Sequence, residues 1–158
     1  MWRFPVVLHP HTISVAKGCE GVRAAYRVRQ VVNVVNVSTL LGLAIAAASR
    51  ATLARGEDGI VLATGARGSF PKASAFTVGN VVIVRTPSPS AELLRHEARH
   101  ATQWACCVVL FLPLYWLAAL WSYTRTGDHY SRNTFERRAG LVDGGYVEHD
   151  VRWGRSRT

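Results

Sequence analysis

The chain has 158 residues, of which 49% are hydrophobic and 18% charged. That is one domain's length, with enough apolar surface to form a core without a disulfide framework. It excludes a disordered chain, a repeat array and the large doubly wound or barrel enzymes. The net charge is +9, and Lys17 and Lys72 are the two lysines among 19 basic residues. The arginines are scattered and do not alternate with aromatics, so nucleic acid is not an expected partner. Cys19 stands alone, and Cys106 and Cys107 are adjacent in an apolar run, which predicts core packing in a reducing compartment. The first ten residues, with Pro5 and Pro10, lack the apolar run of a secretory signal, so the expected location is cytoplasmic.

Residues 1–20 show little pattern and read as an N-terminal arm, 21–146 as a single domain, and 147–158 as a basic, frayed tail carrying Arg152, Arg155 and Arg157. Ala24 to Val37 is Val-rich and fits helix or strand. Ser38-Thr39 is a candidate N-cap for a Leu- and Ala-rich helix over Leu40 to Ala54, ended by Arg55-Gly56. Ile60 to Ala63, Ala75 to Val78 and Val81 to Val84 read as strands, with Gly79-Asn80 as a hairpin turn or a bulge. They predict a small antiparallel sheet of two or three strands. Ser90 caps a helix from Ala91 to about Val109. Pro113 interrupts the pattern, and Leu114 to Tyr123 is helical again. Ser131 or Asn133 caps a short helix that Gly140 ends. The fold class is therefore α+β and mostly helical.

His96-Glu97-Ala98-Arg99-His100 lies on the helix that follows the strands. Histidines four apart share a helical face, about 6 Å from each other, and can hold one zinc ion. Glu97, one residue on, has a different azimuth and is placed to take a proton from an attacking water as general base. Gln103, one turn past His100, is a candidate supporting residue. A third ligand must come from downstream, where Asp128, His129, Glu136, Asp143, Glu148 and His149 are the choices. Glu136 is preferred because Phe135 and Ala139 would anchor its short helix, and His129 comes next. His129, Tyr130 and Tyr146 are also candidate donors to a developing oxyanion.

With its small sheet, its His96-Glu97-x-x-His100 helix and its later Glu136 helix, the chain resembles the smallest gluzincin-type zinc metallopeptidases. The stretches 75–82, Leu93 to Gln103, Phe111-Leu112-Pro113-Leu114-Tyr115 and Asn133 to Ala139 are similar to small bacterial proteins of uncharacterised function with an HExxHxxQ core. The resemblance spans about residues 38–145. It implies one zinc held by His96, His100 and Glu136, water activation by Glu97, and a peptide or protein substrate. It departs at Arg99, where active members carry a small or aliphatic residue. Arg99 is expected to reach solvent or to pair with Glu92 or Glu136, and pairing with Glu136 would compete with the metal. A non-catalytic zinc protein, and a small basic membrane-associated protein with no active site, are the rival readings.

Val31 to Ser49 and Trp104 to Ser122 are each uncharged over 19 residues, close to a bilayer-spanning length. If the second run spanned a bilayer, His100 and Glu136 would lie about 30 Å apart. A shared metal therefore requires a fold-back, expected at Pro113, about 20 Å out from His100 and about 16 Å back to Thr124. The run then becomes buried core or a hairpin dipping into lipid, with a membrane surface as a candidate partner.

Overall fold

The computed structural model describes residues 10–68 and 74–152. In chain order the elements are α1 (Pro10–Val35), α2 (Ser38–Ala48), β1 (Thr52–Arg55), a 3-10 turn (Glu57–Gly59), β2 (Val61–Thr64), β3 (Ala75–Val78), β4 (Val81–Val84), α3 (Ala91–Cys107), a second 3-10 turn (Val108–Leu110), α4 (Phe111–Thr126) and α5 (Thr134–Ala139). The chain is α+β, as its sequence predicts.

The sheet has four strands in the order β1-β2-β4-β3. Its outer pairs are antiparallel and the central β2–β4 pair is parallel. This corrects the expected antiparallel sheet of two or three strands. The missing strand, β1, lies partly in the stretch assigned to the Leu40–Ala54 helix. That helix stops at Ala48 without a glycine. Arg50 takes the left-handed conformation (φ 55°), while Arg50 N donates to Ala47 O and Ala51 N to Ala46 O, the Schellman pattern of a helix end. At the hairpin between β3 and β4, Gly79 has φ +61° and its α-carbon abuts the Ser38–Thr39 backbone. A glycine first in a two-residue loop is the type II′ signature.

β4 is buried along its whole length, which is why Val81-Val82-Ile83-Val84 is apolar without alternation. Val82 and Val84 pack with Ile60, Ala75 and Ala101, with Leu94 and Ala98 of α3 against them. Val81 and Ile83 pack with Ala46 and Ala63, with Leu43 and Ile45 of α2 against them. The sheet is thus sandwiched between α2 and α3. Asn33, fully buried on α1, donates from Nδ2 to Ala101 O (2.9 Å) and Asn80 Oδ1 (3.0 Å), tying α1, α3 and the β3–β4 turn together. Asn33 therefore serves packing, while Asn36 accepts from Ser38 N and Oγ at the turn into α2.

Helix α1 starts at Pro10 and so runs through residues 10–20 of the stretch read as an arm. Residues 147–152 are not frayed, since Arg152 N donates to Arg125 O and His149 N to Ser131 Oγ. Arg155 and Arg157 lie outside the described residues. Cys106 is exposed rather than core, whereas Cys107 is half-buried and packs against the cluster of Val78, Trp104 and Phe111; the side chain of Cys19 lies outside the described residues.

The fold-back exists, but its pivot is Val108 rather than Pro113. Val108 has φ 52° and ψ −131°, which ends α3 and turns the chain. Pro113 sits in the first turn of α4, where a missing N–H costs no helical bond. The stretch Ala91–Thr126 is long and apolar enough to cross a membrane by composition. It is not one straight rod. The rings of His100 and Tyr115 are 6.3 Å apart, whereas 15 residues of straight helix would separate them by about 22 Å.

Candidate metal centre

Two turns of α3 and the start of α5 build the centre. Ser90 caps α3 by accepting from Leu93 N, and Asn133 caps α5 by accepting from Phe135 N. His96, His100 and Glu136 are all buried. The two Nε2 atoms lie 3.0 Å apart, and Glu136 Oε2 lies 3.1 Å from His96 Nε2 and 3.5 Å from that of His100. Four-coordinate zinc with bonds near 2.0–2.1 Å sets its ligand atoms about 3.3 Å apart, so the triangle has the right size. One ligand atom from each residue falls within 4.8 Å of the others, a group that could hold a metal ion.

The protonation pattern points the same way. His96 Nδ1 donates to Gly140 O (2.9 Å), and His100 Nδ1 donates to Gln103 Oε1 (2.8 Å), while Gln103 Nε2 donates to Phe135 O (2.9 Å). With Nδ1 committed, both neutral imidazoles present an Nε2 lone pair to the centre. Glu136 Oε1 accepts from the Tyr115 hydroxyl (2.5 Å), but buried Oε2 has no well-directed donor. Three acceptors therefore converge on one point, an arrangement that a cation or a proton must satisfy. The residues fit a zinc ion in both donor type and spacing.

Comparisons with protein families, with curated proteins and with solved structures found no match. The centre is read from its own chemistry.

Glu97 is buried beside this triangle. Thr77 on β3 donates from Oγ1 to Glu97 Oε2 (2.7 Å), and Trp104 Nε1 donates to Thr77 O (2.8 Å). Burial pushes the Glu97 carboxyl above its ordinary range, while His100, the Thr77 hydroxyl and His96 pull it back in part. Arg99 pairs with neither Glu92 nor Glu136. Its guanidinium reaches Ala139 O (2.6 Å) and Asp143 Oδ2 (2.8 Å), which clamps α5 and the following loop to α3. Glu92 pairs with Arg95, and Glu148 with Arg132 and Arg137. His129 is exposed and stacked on Tyr123 (4.6 Å), outside the triangle. Asp128 caps the backbone of Tyr130 and Ser131. Tyr146 comes within 6.0 Å of the His96 ring, and Tyr130 stacks on Tyr146 at 4.2 Å.

Thr77, Tyr115, Gly140 and Gly144 were not singled out as site residues from sequence. Only Tyr115 carried a signal: it lies one helical turn from Phe111 in the run that had to fold back. Gly144 is packed so closely that a Cβ would lie 2.6–2.9 Å from His96 Cε1, Nε2 and Nδ1. Gly144→Ala is expected to displace that imidazole and weaken zinc binding by about 10- to 100-fold, the range for losing an orienting partner. Competition with a chromophoric chelator measures it. Unchanged affinity would mean that the 140–146 loop yields and does not hold His96.

A pH dependence follows from the same contacts. Burial alone would lower the His100 imidazole, but Glu136 and Glu97 outweigh it and its pKa is raised. Burial alone would raise Glu136, but His100, His96 and Tyr115 hold it down to about 2. In the metal-free protein, the raised His100 stabilises fully below its unfolded value, about 6.5, and that contribution is lost as pH rises through the folded pKa. Depressed Glu136 stabilises above its unfolded value, about 4.3, and that is lost as pH falls toward 2. Zinc needs deprotonated imidazoles, so its stabilising increment should run in the opposite sense to that of His100. The rise in Tm on adding zinc is expected to grow from about pH 5.5 to about pH 8. A flat increment in thermal melts would exclude His100 as a ligand.

Proposed function

We propose that the protein is a zinc-dependent metallopeptidase-like hydrolase, with His96, His100 and Glu136 as metal ligands and Glu97 as general base. The observation that carries this reading is the convergence of three buried acceptor atoms, two of them fixed by their Nδ1 hydrogen bonds, beside a fourth buried group that is not part of the triangle. A purely structural cluster has no need of Glu97 there. Zinc at the centre would supply Lewis acidity, polarising a carbonyl and acidifying water.

The chain's own groups supply the remainder. Glu97 Oε1 accepts a proton from the attacking water, while Oε2 stays anchored to the Thr77 hydroxyl. Its burial raises its basicity toward the working pH, as a general base requires. The Tyr115 hydroxyl holds Glu136 by Oε1 and so leaves Oε2 facing the imidazoles. Tyr146, stacked on Tyr130, is the nearest phenol to His96 and the best-placed donor to an oxyanion. Arg99 does not compete with a metal for Glu136, because its charge is spent on Asp143 and the α5 carbonyl.

The test combines metal analysis with cleavage of a mixed peptide library, with and without chelator. About one zinc per chain, with cleavage that chelator abolishes, is the expected result. Zinc without any cleavage would reduce the centre to metal binding, and no zinc after refolding in its presence would remove the centre altogether.

A further inference from the structure

Helix α4 is apolar on the wrong side. Phe111, Tyr115, Ala119, Ser122 and Thr126 face the protein, and three of these five carry a hydroxyl. The outward face carries Leu112, Trp116, Leu117, Leu120 and Trp121, with Trp116 63% and Trp121 60% exposed. An exposed apolar face of this size marks a surface that meets a partner or lipid, and among the described residues no other element covers it.

A second apolar surface lies at the same end of the molecule. The α1–α2 corner, bent by 74°, exposes Val34, Val35, Val37, Leu40 and Leu41, with Val35 76% exposed. The α3–α4 bend exposes Val109, at 73%, and Leu110. Gly79 abuts Ser38 and Thr39 at the corner, and the preceding Val78 packs in one cluster with Trp104, Cys107 and Phe111 at the bend, which sets the corner and the bend at the same end of the molecule. Both turns are made at a valine with positive φ, Val37 at 69° and Val108 at 52°. Such a conformation is strained for a β-branched side chain. Asparagine or glycine would relieve it, yet each turn keeps an apolar residue at the surface.

The chain stretches that carry these faces hold charge of one sign, with Asp58 set against Tyr26 and Arg29 further back along α1. No Asp or Glu occurs between Gly21 and Gly56, or between Ala98 and Gly127. The charged residues bordering the apolar stretches are arginines, with Arg23, Arg27 and Arg50 exposed and Arg125 set over the Trp121 ring at 5.5 Å. An apolar tip with aromatic rings and a collar of arginines is the pattern of a surface that enters the headgroup layer of an anionic bilayer. We infer that the α1–α2 corner, the Val108–Leu110 bend and the outer face of α4 form one membrane-docking surface, which seats in an anionic lipid leaflet without spanning it. Because the inner face of α4 touches His100 and Glu136, docking holds the metal centre about one helix diameter, roughly 10 Å, from the lipid.

Flotation of the full chain with vesicles of phosphatidylcholine alone, or mixed with phosphatidylglycerol, tests this. The expected result is flotation with the anionic vesicles and little with the neutral ones. Val35→Asp and Val109→Asp, one at each turn, should each reduce flotation by about tenfold or more, the loss expected when a buried valine is exchanged for a charge. Leu53→Asp, also at an exposed apolar position but on β1, should float as the parent does, and circular dichroism checks that all three variants fold. Equal flotation of all three variants, or none of the parent, would overturn the inference. So would a lipid-free dimer, seen by sedimentation, that the two turn variants dissociate while vesicles bind nothing.

Discussion

Glu136→Gln is expected to abolish the thermal stabilisation that zinc confers, and also to lower the metal-free Tm, because the ionised carboxylate stabilises that form through His100 and His96; each zinc increment is therefore read against the variant's own metal-free melt. At free zinc about a thousand times its Kd, a folded-state ligand stabilises by about 4 kcal/mol. For a chain of this size that is a Tm rise of about 10 °C. The amide oxygen of glutamine can still accept from the Tyr115 hydroxyl, so α4 and α5 stay joined. What is lost is the anionic Oε2 that faces the two imidazoles at 3.1 and 3.5 Å. His96→Ala should lose the increment as well, and it also vacates space beneath Gly144. Calorimetry with and without zinc reads both variants. If Glu136→Gln kept the full increment, the third ligand would lie elsewhere and α5 would have no part in the centre. Loss in both variants would establish the three-residue set.

Much of the site was legible because its decisive spacing is local. The His96–His100 interval needs only a helix, and Ser90 with the apolar residues after it predicts that helix. Gln103 is one further turn along the same face, and the structure sets it between His100 and the α5 backbone. Glu136 could be chosen over His129 because Phe135 and Ala139 flank it at an anchoring interval, and Ala139 is fully buried. The groups that escaped all act through tertiary contact. Thr77 reaches Glu97 across the interface between β3 and α3, and no periodicity within β3 marks it. Gly140 contributes a carbonyl, which every residue has, and Gly144 contributes the absence of a side chain.

The fold shows the same division. β3, β4 and their turn were readable from β-branched runs around Gly79-Asn80. β1 was hidden because the turn before it is made by Arg50, a residue with no turn signature, in a sequence that remains acceptable to a helix through Ala54. The parallel β2–β4 pairing depends on chain crossing, which strand composition does not encode. The fold-back between α3 and α4 was forced by arithmetic once His100 and Glu136 were assigned to one metal. Its position was misplaced because Pro113 is the conspicuous residue, whereas Val108 carries the conformation that breaks the helix.

Glu97→Gln should lower peptide cleavage by about 10²- to 10⁴-fold, the range for removing a positioned general base, with zinc content unchanged. The substitution is nearly isosteric, and its side-chain oxygen still accepts from Thr77 Oγ1, so the β3–α3 contact survives. Glu97 contributes no atom to the triangle of His96, His100 and Glu136, so the metal has no reason to leave. The loss should fall on kcat rather than KM, because the proton moves in the transition state and the base binds no part of the ground-state peptide. Thr77→Val offers a graded companion. It keeps the carboxylate but frees it to turn, and a drop of about tenfold in kcat would match the cost of a loosened catalytic group. Should Glu97→Gln cleave as fast as the parent while holding zinc, the base would have to be another group. Should it lose zinc, Glu97 would be a ligand, and the buried carboxylate would have been assigned the wrong task.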